Sequence, residues 1–149
     1  MKNIVLGTLF AFLVAFSARA QGPLTTISTQ QAEKTISWTI ELASDDASRT
    51  KGLMFVKEMQ PRHGMLFRFE QNRPVSMWMK NTFIALDMVF MNEQGTVTHI
   101  HRGAVPHSED IISSNGPARY VLEINAGEAS QSGLKAGQVF SHPWFQASK

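Results

Sequence analysis

The sequence has no cysteine among its 149 residues. That excludes disulfides, thiolate metal centres, iron–sulfur clusters, a cysteine nucleophile and a lipid-bearing cysteine. Charge is also scarce: charged residues make up 17% and hydrophobic residues 43%. Disordered chains show the reverse balance, so a packed core is expected. Long apolar runs are missing except at the N-terminus, and that run falls short of the roughly 20 residues of a membrane span. Glycine-rich phosphate loops, nucleotide fingerprints and a Gly-x-Ser-x-Gly elbow are absent too.

The N-terminus reads as an address. Lys2 gives a positive start, Ile4 to Phe16 is almost wholly apolar, and Ala18-Arg19-Ala20 offers a small-x-small cleavage site. Residues 1–20 are therefore read as a secretory signal peptide, with a periplasmic or secreted product that keeps no stable membrane span. Of 14 basic and 12 acidic residues, Lys2 and Arg19 leave with the leader, so 21–149 carries 12 of each. A chain of zero net charge has no basic field with which to attract nucleic acid or anionic lipid.

Residues 21–34 are polar and read as a flexible lead-in, and 35–149 as a single domain. Ile36, Trp38, Ile40 and Leu42 alternate with polar residues, which predicts a half-buried strand. Ser44 is read as the N-cap of a short helix over 45–51 that stops at Gly52. Strands are predicted at 65–69, 75–80, 84–91, 96–102, 120–124 and 139–140, with turns at 71–74 and 92–95. A long loop is predicted over 103–117 and a second short helix over 125–132. The fold class is mainly β: a single-domain, mainly antiparallel β-sandwich or open barrel with one or two short helices.

Several strings carry a resemblance: Arg49-Thr50-Lys51-Gly52-Leu53-Met54, Gly64-Met65-Leu66-Phe67, Met77-Trp78-Met79-Lys80-Asn81-Thr82, Leu86-Asp87, Val121-Leu122-Glu123 and Gly133-Leu134-Lys135-Ala136-Gly137. Together, over 36–142, the chain resembles the domain of unknown function 192 family of small, often exported prokaryotic proteins. The resemblance implies a β-rich, sandwich-like fold and no established activity. Ala85, Val56 and Gln138 depart from that pattern, where proline, a basic residue and aspartate are usual.

The candidate site is built on Lys80, Asn81 and Asp87, polar residues that interrupt two apolar strands. A buried Asp needs a partner, and Lys80 or Arg49 is available. One reading is structural: Asn81 holds the turn while Asp87 accepts backbone N–H groups. The other is a polar cleft beside Trp78, where Lys80 reads an anionic or carbonyl group and Glu123 joins from a strand end. The leading expectation is a binding or accessory protein that holds a small ligand, glycan or peptide there. The enzyme alternative is a hydrolase or lyase with Asp87 or Glu123 as general base and Lys80 steadying negative charge. A further alternative is periplasmic copper handling through Met77 and Met79, against which ordinary core packing stands. His99 and His101 share a strand face but fall short of a zinc set. No cofactor and no nucleic-acid partner is expected.

Overall fold

The computed structural model describes residues 23–145, so the leader read over 1–20 lies outside the described residues. The chain forms β1 (Thr25–Gln31), β2 (Lys34–Ala43), α1 (Asp46–Lys51), β3 (His63–Met77), β4 (Leu86–Met91), β5 (Val97–Ala104), β6 (Ile112–Asn125), α2 (Glu128–Gln131) and β7 (Phe140–Ser141). The strands make one mixed sheet in the order β5-β4-β6-β3-β2-β1-β7. It coils into a half-barrel, and Thr96, just before β5, bridges Val139, just before β7. The expected mainly β class is thus an open barrel rather than two stacked sheets. Neighbouring strands are antiparallel except β2 and β3, which run parallel. A parallel pair needs a long crossover, and residues 44–62, which contain α1, supply it.

Each face of the sheet buries its own apolar layer. Ile27, Ile36, Trp38, Ile40, Val89 and Leu122 belong to the inner layer. Met65, Phe67, Met88, Phe90 and Val121 belong to the outer one, under Leu53 and Met79. Every residue of β4 is buried for that reason, which is why its sequence is a continuous apolar run and not an alternation.

Several local expectations need correction. Residues 25–31 are not a flexible lead-in: they pair with β2 along their whole length. Ile27 and Thr29 are buried while their neighbours are not, so this polar strand still has an inward side. The cap of α1 is Asp45, not Ser44. The Asp45 carboxylate accepts from the Ser48 amide, and the Ser48 hydroxyl closes the reciprocal capping box. Those bonds hold the Asp45 carboxyl below its usual range. The chain does not turn back at 71–74. Arg68 faces Tyr120 and Arg73 faces Ala118, so residues 69–72 bulge from one continuous β3. Pro74 then lies opposite Pro117, where neither residue has an amide to leave unpaired. Finally, β6 begins at Ile112, inside the predicted loop.

Gly64 fixes the approach of β3 to β6. A Cβ there would press on the carbonyl oxygen of Glu123, which is rigid backbone. Gly64→Ala is expected to cost about 1–3 kcal/mol through overpacking, read as a lower urea midpoint at constant slope. An unchanged midpoint would show that the two strands can part freely.

Candidate functional site

The expected meeting of Lys80 with Asp87 does not form. Asp87 lies on β4 and is fully buried. Its Oδ1 accepts from the Gly103 amide and its Oδ2 from the Ala129 amide, each at 2.9 Å. Gly103 sits at φ +67 in the irregular part of β5, and Gly127 caps α2 without a side chain. Asp87 therefore caps α2 from a distant strand and ties it to β5, which is the structural role. Lys80 Nζ instead lies 3.9 Å from Glu109 Oε2 and 5.2 Å from the centre of the Trp78 ring. Arg49 is occupied elsewhere as well. It bonds Asp46 and the carbonyls of Ser44 and Arg68, beside a groove of about 350 Å³ at the β3 bulge.

The segments that cross the outer layer make a second, unexpected feature. Residues 52–56, 78–84 and 105–111 are tied together by backbone. The Phe55 amide donates to the Asn81 carbonyl at 2.9 Å, the His107 amide to the Thr82 carbonyl at 3.1 Å, and the Met79 amide to the Ser108 carbonyl at 2.9 Å. Phe55, Asn81 and His107 all hold left-handed backbone, at φ 64, 54 and 62. Asn and His tolerate that region, but a phenylalanine there is strained. The same segments expose Phe55 at 61%, Trp78 at 44% and Phe83 at 40%. Phe83 meets Phe55 edge-on at 5.9 Å and His107 at 5.1 Å. Of these, only Trp78 and Asn81 stand out in the sequence. Phe55 and Phe83 sit beside other apolar residues, and nothing in the sequence sets them apart.

Glu123 lies on the same side of the sheet as these segments, in the layer of Met65 and Met88. It is 4% exposed on β6, and among the described residues its carboxyl has no hydrogen-bond partner. Burial alone pushes its pKa up to about 8. It faces Met65 on β3 and Met88 on β4 in direct register, and Met88 in turn faces His101 on β5. Directly paired residues project to the same side of a sheet, so the four form one row in the outer layer. At neutral pH such a carboxyl holds its proton, so it can donate a hydrogen bond or exchange the proton for a cation. Met79 is buried in the same layer and Met77 is partly buried against it. His99 stacks on Phe90 at 5.8 Å, and burial lowers its pKa, helped by nearby His101 and Arg102. No group of three or more His, Cys, Asp or Glu that could hold a metal occurs among the described residues.

Comparisons with known proteins agree on the fold. A family model, DUF192, described as an uncharacterized ACR, matches residues 26–142. A crystal structure from Sinorhizobium meliloti, named as a candidate transcription regulator, has a TM-score of 0.79 and 44% identity. It covers 83% of this chain and 96% of that one. A protein of unknown function from Novosphingobium aromaticivorans has a TM-score of 0.76 and 33% identity, covering 80% of this chain and 85% of that one. No curated protein matches.

Proposed function

Because the chain belongs to the DUF192 family, for which no function is established, we propose its role from its own surface: an exported, non-enzymatic binding protein whose aromatic edge seats an apolar peptide segment. The observation that carries this reading is the exposure of Phe55, Trp78 and Phe83 on strained, mutually bonded segments. Exposed aromatics on a fixed backbone lose little freedom on binding, which is what an anchoring surface needs. A peptide suits the edge better than a glycan, because Phe55 and Phe83 offer rings without polar tips and the same segments also expose Val105 and Ile111. Export rests on Lys2, the apolar run and Ala18-Arg19-Ala20. The balanced charge of 21–149 supports a partner other than nucleic acid. No helix among the described residues is long and apolar enough to cross a membrane.

The test is selection from a library of random peptides. The wild-type protein is expected to enrich sequences rich in Leu, Ile, Phe or Trp. Phe55→Ser together with Trp78→Ser is expected to weaken capture of the enriched peptides by roughly tenfold or more, as for interface anchors. The thermal midpoint should change little, because both side chains are exposed. No enrichment, or enrichment that the double variant keeps, would overturn the reading.

A further inference from the structure

We propose that Met65, Glu123 and Met88 form a binding site for a monovalent soft cation, Cu(I), buried between the outer face of the sheet and the segments that cross it. The first support is the register. Glu123 is the central member of a row across three hydrogen-bonded strands, with a methionine on each side. Opposite residues in antiparallel pairs have Cβ atoms about 4.5–5.5 Å apart, so two thioethers reach the space above one carboxyl. The second is that Glu123 is only 4% exposed and that burial, with no ion pair or hydrogen bond among the described residues to offset it, pushes its carboxyl pKa up to about 8.

The donor set selects the cation. Thioethers favour Cu(I) and disfavour hard ions such as Mg²⁺ and Ca²⁺. Charge selects it again. One carboxylate and one monovalent cation leave the apolar layer neutral, whereas Zn²⁺ would leave an uncompensated charge among Leu53, Met79 and Phe90. Binding is an exchange: the Glu123 carboxyl releases its proton to solvent as the cation takes its place, and no electrons move. His101 extends the row by one strand to β5, the edge of the sheet, and is partly exposed there. Its imidazole, a ligand type that suits copper, stands at the outer end of the row. The reading does not depend on Met77 and Met79, which sequence alone singles out.

Cu(I) is offered to the purified, reduced protein from a coloured chelator complex, without oxygen, and uptake is read as loss of colour. One Cu(I) per chain is expected, with release of close to one proton into a weakly buffered solution at neutral pH. Met65→Leu with Met88→Leu should weaken uptake by at least about tenfold, the scale on which even supporting residues of metal sites act. Leu conserves volume, so the fold should tolerate both changes. If the double variant does not fold, each single variant is expected to show part of the same loss. Glu123→Gln should abolish the proton release and weaken uptake. Met91→Leu, in the inner layer, should leave uptake unchanged. X-ray absorption should show sulfur scatterers in the wild-type complex and lose them in the double variant. No uptake by the wild type, uptake that the double variant keeps, or a preference for Zn²⁺ over Cu(I) would each overturn the proposal. None of these results depends on peptide capture.

Discussion

Glu123→Gln is expected to raise the thermal midpoint of the protein above pH 8 and to leave it nearly unchanged below pH 4.5. In the unfolded chain the Glu123 carboxyl titrates near 4.5, and in the folded protein burial pushes it up to about 8. Between those values the folded state holds a proton that the unfolded state has lost. Stability contributed at this position therefore falls as pH rises through that window, and is flat on either side. At about 1.4 kcal/mol per unit, the full window corresponds to a penalty of about 4–5 kcal/mol above it. For a domain of this size that is on the order of 10 °C or more. Gln keeps the shape and takes no charge, so the variant escapes the penalty. Melting curves of both proteins across the window are the measurement. A difference independent of pH, or a variant less stable at high pH, would mean that the carboxyl is solvated or paired in the native state. A residue kept at such expense to the fold is the usual mark of a functional group.

Asp87 should behave in the opposite way. Asp87→Ala is expected to cost about 3–5 kcal/mol, because it strands the Gly103 and Ala129 amides and frees the start of α2. Asp87→Asn is expected to lose nearly as much. An amide has one acceptor oxygen, and its NH₂ group would face the second backbone donor. Lys80→Ala, by contrast, should stay within about 0.5 kcal/mol, since its pairing with Glu109 is exposed. Urea unfolding of the three variants separates these cases. An Asp87→Ala protein close to wild type would show that the two amides find other partners and that the residue is free to act elsewhere.

The two acids show what the sequence reveals and what it hides. Both stand in apolar runs, and both look like buried carboxyls in need of a partner. Asp87 finds its partners on β5 and α2, elements 16 and 42 residues away, whose contact with β4 no local pattern announces. Glu123 finds no hydrogen-bond partner among the described residues, and the apolar layer on its side of the sheet draws Leu53 and Met79 from segments far along the chain. β2 was legible by its alternation, β4 and the 120–124 part of β6 as short apolar runs, whereas the polar start of β6 over 112–117 read as loop. β1 was hidden by its Thr, Ser and Gln residues, although Ile27 and Thr29 fill the inner side. The 69–72 bulge was mistaken for a turn because Gln71, Asn72, Arg73 and Pro74 are turn formers, and a long bulge draws on the same residues. The aromatic edge was missed for a simpler reason: nothing in the neighbours of Phe55 says that its backbone is left-handed.

β1 is bonded on one side to β2 and on the other to β7, the last strand among the described residues. The half-barrel therefore cannot close until residues 140–141 have joined residues 28–29. That pairing joins segments about 110 residues apart, so nearly the whole described domain must be made before the native state exists. Closure across so long a separation is slow as well, of the order of milliseconds to seconds. The topology thus acts as a timer that keeps the new chain open. That delay suits the export proposed above by any route that threads the chain unfolded.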